Sequence, residues 1–139
     1  MAEKVIKALK DFEIGYDMHI ASAHRTPELV KKIIDESTAE VFIAIAGLAA
    51  ALPGMIAAHT LKPVIGVPIS GKINLDSILS IVQMPPGIPV AAVGLDNGTN
   101  AAILAAQILA LSDPDLSVKI YKYRTIAREK VIKDNSDIN

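Results

Sequence analysis

The stretch VFIAIA, Val41–Ala46, decides the fold. It is six apolar residues in unbroken succession, closed by Gly47. A strand with one wet face would alternate apolar and polar residues; a continuous run is what a strand buried on both faces requires. Working outward, PVIGVP (Pro63–Pro68) reads as a further short buried strand, PVAAVG (Pro89–Gly94) as another strand, and Tyr16–Ala21 alternates as a short strand. Helical patterns lie between them. Val5, Ile6, Leu9 and Phe12 form an apolar stripe opposite Glu3, Lys4, Lys7, Lys10 and Asp11. Thr26-Pro27-Glu28 supplies an N-cap, a first-turn proline and an acid to a helix whose stripe is Leu29, Val30, Ile33 and Ile34. Further helices are expected from Leu52-Pro53-Gly54 to His59, from about Leu75 to Val82, over Thr99–Leu111, and from Asp113-Pro114 onward. Strands alternating with helices predict an α/β fold with a parallel sheet and right-handed crossovers, in one domain over residues 1–139.

The totals narrow the function. Of 139 residues, 51% are hydrophobic but only 4% aromatic, so the core is aliphatic. Fourteen basic and 15 acidic residues leave a net charge of −1, which makes no electrostatic case for nucleic acid. There is no cysteine, hence no disulfide framework, thiol nucleophile or cysteine-based metal site. The longest apolar run, Ala101–Leu111, falls short of the roughly 20 residues that span a bilayer. The N-terminus is amphipathic and does not read as a signal peptide. A cytoplasmic protein with no membrane partner is expected. Helix Thr99–Leu111 is apolar nearly all round, Gln107 excepted, which predicts burial by the sheet and by another copy in a homo-oligomer.

Ligands of parallel α/β sheets collect beyond the carboxyl ends of the strands. Three such ends are Ser22-Ala23-His24-Arg25, Gly47–Gly54 and Pro68-Ile69-Ser70-Gly71, and only the first carries ionisable groups. Arg25 suits bidentate phosphate or carboxylate binding, and His24 can give and take a proton near neutrality. Beside Ser22 and a helix N-terminus, they suit an anionic substrate undergoing proton transfer. The plainer alternative is a capping histidine and a surface salt bridge. His19, within its strand, reads as structural, and His59 as a helix-end dipole partner. Three scattered histidines make no metal site.

SAHRTPE (Ser22–Glu28), AALPGMIAA (Ala50–Ala58), PVIGVPI (Pro63–Ile69), LDSILSIVQMPPGIPVA (Leu75–Ala91) and NAAILAAQILAL (Asn100–Leu111) resemble the PurE family, N5-carboxyaminoimidazole ribonucleotide mutases of the microbial type. The resemblance implies a flavodoxin-like three-layer sandwich, a homo-octamer, and a purine-biosynthesis reaction with neither metal nor organic cofactor. The carboxylate of a small ribonucleotide would leave N5, be held as CO2, and rejoin the ring at C4. By the same resemblance His24 is the general acid/base, Arg25 grips the phosphate, and Ser22 contacts the substrate. Ala46, Gly47, Ala51 and Leu52 belong to the loop around the base and the CO2, and Met84 and Pro85 lie near a neighbouring subunit's site. Three departures accompany it. The family opens with an apolar strand and a Gly-Ser-x-Ser-Asp loop, where this chain opens directly in a helix. Ala51 replaces a histidine, and the loop before Asn74-Leu75-Asp76 is a glycine shorter. The sheet is therefore expected without the family's first strand, as in a truncated copy or one half of a duplicated protein. The alternatives are a non-catalytic PurE-like subunit and an aminoimidazole ribonucleotide carboxylase using CO2; a receiver-like signalling domain lacks its clustered acids.

Overall fold

The computed structural model describes residues 1–138. In chain order the elements are α1 (Ala2–Asp11), α2 (Pro27–Glu36), β1 (Phe42–Ala46), α3 (Ala51–His59), β2 (Val64–Pro68), α4 (Asn74–Val82), β3 (Ala91–Ala92), α5 (Gly98–Leu109) and α6 (Pro114–Ser136). The sheet has the order β1-β2-β3 and both pairings are parallel. Ala44 lies opposite Gly66, and Gly66 opposite Ala92.

All five residues of β2 are buried, and its side chains alternate between two helix layers. Ile65 and Val67 pack with Ala101 and Ala105 of α5, while Val64 packs with Ile56 and Ala57 of α3. Gly66 faces the same layer as Val64. A Cβ there would lie 2.6 Å from the Ile81 Cγ2 methyl and 3.3 Å from Pro53, so only glycine lets α3 and α4 approach β2 this closely. The continuous apolar run of β2 thus did report a strand covered on both faces, whereas in β1 only Ala44 is fully buried and Ala91 and Ala92 of the third run are exposed. The third strand is shorter than its apolar run, because only Ala91 and Ala92 pair, with one further bond from Val93 N–H to the Gly66 carbonyl (3.2 Å).

Helix α5 is covered in part by its own chain. Ala102 meets Val5, Ala8 and Leu9 of α1, and Ala106 meets Phe12, Leu116 and Ile120. The small residues of α5 are therefore covered by its own chain, while Ile103, Leu104, Ile108 and Leu109 stay half-buried. The stripe of α1 is covered in the same way: Phe12, at its C-terminal end, packs toward α6, its ring tilted against that of Tyr123 at a centroid distance of 5.5 Å.

Residues Tyr16–Ala21 do not form the strand that their alternation predicts. They run extended, yet among the described residues none of their backbone groups is hydrogen-bonded. His19 is correspondingly exposed and makes no hydrogen bond, so it is not a structural core histidine. Between this segment and the outer edge of β1 lies a groove of about 660 Å³, walled by α1 and α2 through residues such as Val5, Ile6, Val30 and Ile34. No helix among the described residues is long and apolar enough to cross a membrane.

Candidate active site at the carboxyl ends of the strands

The Ser22–Thr26 turn is built by its own side chains. Ser22 N–H donates to Thr26 Oγ1 (2.8 Å), Thr26 Oγ1 donates to the Ser22 carbonyl (3.2 Å), and Thr26 N–H reaches the same carbonyl (2.9 Å). Arg25 N–H donates to Ser22 Oγ (3.2 Å). The Thr26 hydroxyl is thereby committed to the turn and makes no side-chain cap bond to α2, although Thr26 occupies the N-cap position and Pro27 starts the helix. With the backbone closed on itself, His24 and Arg25 project into solvent. Among the described residues neither side chain has a hydrogen bond, and Arg25 is in none of the ion pairs. The surface salt bridge that would have explained Arg25 is not formed. Both groups stay available to a ligand.

The loop from Gly47 to Ala50 follows β1. Leu48 and Ala50 both take left-handed backbone (φ 51° and 33°), which costs a residue with a Cβ of order 1–3 kcal/mol. Ala50 N–H donates to the Gly47 carbonyl (3.0 Å), and Ala50 is the N-cap of α3 without any side-chain cap bond. The first turn of α3, with Ala51 and Leu52, therefore offers N–H groups and the positive end of the helix dipole, an arrangement that favours an anion. Leu52 and Ala21 pack on one cluster with Val30 and Ile56, which brings the His24 turn and the start of α3 onto a common wall. The groove beside β1 reaches Ala21 and Leu52, and its lining does not extend to Ser22, His24 or Arg25. Met84 lies against α3 of its own chain: a Cβ on Gly54 would meet its Sδ and Cε at 3.3 Å.

Sequence reasoning passed over a third component. Asp96, after β3, also has left-handed backbone (φ 55°). Its N–H donates to the Pro68 carbonyl (2.9 Å), and its Oδ1 accepts from Ser70 N–H (3.1 Å). Hydrogen bonds from the Ser70 side chain and backbone hold the Asp96 carboxyl below the usual aspartate range. From beneath, the fully buried Ser77 hydroxyl donates to the Ile69 carbonyl (3.0 Å). Asp96 is an ordinary turn residue ahead of Asn97-Gly98 in sequence, and the only available signal was its place after a strand end. His59 Nδ1 lies 2.9 Å from the Met55 carbonyl oxygen in the last turn of α3, away from these loops. Among the described residues no three His, Asp or Glu side chains group as a metal ion would require.

Comparison with known proteins identifies the family. The family model described as AIR carboxylase matches residues 1–130. An N5-carboxyaminoimidazole ribonucleotide mutase of Methanocaldococcus jannaschii is 54% identical over 139 residues, covering 99% of this chain and 88% of the relative. A probable N5-carboxyaminoimidazole ribonucleotide mutase of Methanobrevibacter smithii is 53% identical, and there the chain spans only 42% of the relative's length. The crystal structure of Treponema denticola PurE superposes with a TM-score of 0.91 at 33% identity, covering 99% of this chain and 89% of that one.

Proposed function

Because the chain belongs to the AIR carboxylase family, we propose that it acts as an N5-carboxyaminoimidazole ribonucleotide mutase of purine biosynthesis, as its relatives are named. The observation that carries this reading is the Ser22–Thr26 turn, whose backbone is self-satisfied while His24 and Arg25 remain unengaged. In the reaction the N5–carboxylate bond breaks, N5 gains a proton, and CO2 is released into the site. C4 then attacks the CO2 and loses its own proton, so no net proton is consumed. His24 gives the first proton and takes the second. Arg25 holds the phosphate, Ser22 contacts the substrate, and Ala46, Gly47, Ala51 and Leu52 enclose the base and the CO2. The chain acts as a single domain, needs no metal or organic cofactor, and works in the cytoplasm. It assembles as a homo-oligomer, the octamer that the resemblance implies. Exposed Ile73, Leu75, Leu79 and Val82 on and before α4 support such burial.

The test follows the loss of N5-carboxyaminoimidazole ribonucleotide by ultraviolet absorbance, without ATP or added bicarbonate. His24→Asn should lower kcat by about 10²- to 10⁴-fold. Normal turnover by that variant removes His24 from the mechanism. The family's description as AIR carboxylase supports a second reading, direct carboxylation of aminoimidazole ribonucleotide by CO2. Turnover of that substrate with bicarbonate, and none of the N5-carboxylated one, would select it.

A further inference from the structure

Among the described residues, three of the four non-glycine residues with left-handed backbone, Leu48, Ala50 and Asp96, lie at the carboxyl ends of the strands. Strain retained at one end of a sheet asks for a use there. For Asp96 the hydrogen bonds trace it. Its N–H is tied to Pro68, the last residue of β2, and its carboxylate to Ser70 N–H two residues on. Together they clamp the chain leaving β2 from the side of β3. Inside the clamp sits Ile69, whose N–H donates to the Ala46 carbonyl (3.0 Å) and whose carbonyl accepts from Ser77. A Cβ on Gly47 would lie 3.4 Å from Ile69 Cβ, so the turn after β2 already touches the loop after β1. The mechanical chain runs from Asp96 through Ser70 and Ile69 to Ala46 and Gly47.

We propose that Asp96 is a positioning residue: its carboxylate, acting through Ser70 N–H, wedges Ile69 against Ala46 and Gly47 and thereby holds the strained loop that encloses the substrate. The left-handed backbone of Asp96 is what aims the carboxylate back along β2. Aspartate tolerates that conformation better than most side chains, and glycine, which adopts it freely, has no carboxylate to offer. Only the kinetic part of the following test rests on the mutase reading; the clamp itself is tested without it.

The decisive variant is Asp96→Gly, which relieves the backbone and keeps the N–H to Pro68 but removes the acceptor for Ser70. Asp96→Ala removes the acceptor and keeps the strain, and Asp96→Asn keeps an acceptor oxygen in place. Amide hydrogen exchange would be measured at Ser70, Ile69 and Ala50, with Tm and steady-state kinetics alongside. Exchange at these three amides should quicken by roughly tenfold or more in the glycine and alanine variants, and stay near the parent rate in Asp96→Asn. Asp96→Gly should keep the parent Tm, yet lose kcat by about tenfold to a hundredfold at little changed KM, as a small misplacement of a catalytic loop does. Unchanged exchange at Ile69 and Ala50 in both acceptor-less variants would overturn the proposal. So would faster exchange spread across the whole sheet with a lowered Tm in Asp96→Gly, which would make Asp96 a general stabiliser. A parent protein without turnover defeats the mutase reading, and the exchange rates then decide the clamp alone.

Discussion

Along its inner edge β1 exchanges hydrogen bonds with β2, and the residues there are sealed: Ile65 and Val67 are 0% exposed beneath α5. Along its outer edge the same strand faces a groove of about 660 Å³, beyond which Tyr16–Ala21 run extended and unpaired, with Ile20 89% exposed. The helices are what the two sides share. On the outer side α1 is held by α5 and α6 and needs no strand beneath it, since Val5, Leu9 and Phe12 are buried all the same. Helix layers thus preserve their packing on each other where the sheet is open. An open edge leaves N–H and C=O groups for another strand to claim, and natural sheets usually cover such edges.

The contrast can be broken most directly by side-chain truncation. Ile65→Ala, on the sealed side, should cost about 2–5 kcal/mol in urea unfolding. Ile6→Ala, on the half-exposed wall of the groove, should cost about 1 kcal/mol or less. Equal losses would mean that the groove is closed in solution. Hydrogen exchange sharpens the same comparison. Amides of Ile65, Gly66 and Val67 should exchange only through global opening, while those from Met18 to Ile20 should exchange near the rate of an unstructured chain. Protection of the latter, above all if it rises with protein concentration, would show the outer edge paired with another strand.

The smallest effect concerns how α1 is fastened over the groove. Lys119 of α6 donates both to the Glu13 carboxylate and to the Phe12 carbonyl (3.3 Å). The hydrogen bond and charge of Lys119 lower the Glu13 pKa from its ordinary value. A carboxyl group with a lowered folded pKa contributes its stability above the unfolded pKa and loses it as pH falls through the folded one. Lys119→Ala should therefore give a slight loss of Tm at neutral pH, and the difference from the parent should vanish in acid, below the usual glutamate range. Glu13 is largely solvated and Lys119 partly so, which keeps the effect slight. A difference that persisted in acid would assign it to the Lys119 hydrogen bond with Phe12.

Much of the candidate site was legible locally. SAHRTPE was read as a strand-to-helix corner presenting His24 and Arg25, and the turn does so through bonds spanning three or four residues. The periodicity of β1 and β2 and of the helices was legible for the same reason, since burial imprints a short repeat on the chain. Tyr16–Ala21 misled because alternation reports a side-chain preference, whereas strand pairing needs a neighbour that the groove does not provide. The apolar circumference of helix α5 was real, and α1 and α6 of the same chain cover part of it.

What the sequence determined by itself is the helices, the strands β1 to β3 in their parallel α/β arrangement, and the corner that presents His24 and Arg25. Each depends on residues within a few positions of one another. Tertiary structure alone decided which edge of β1 is sealed and how the loop after β1 is held. The bond from Ser70 to Asp96 joins residues 26 apart, and such a bond exists only after three parallel strands have carried their carboxyl ends to one place.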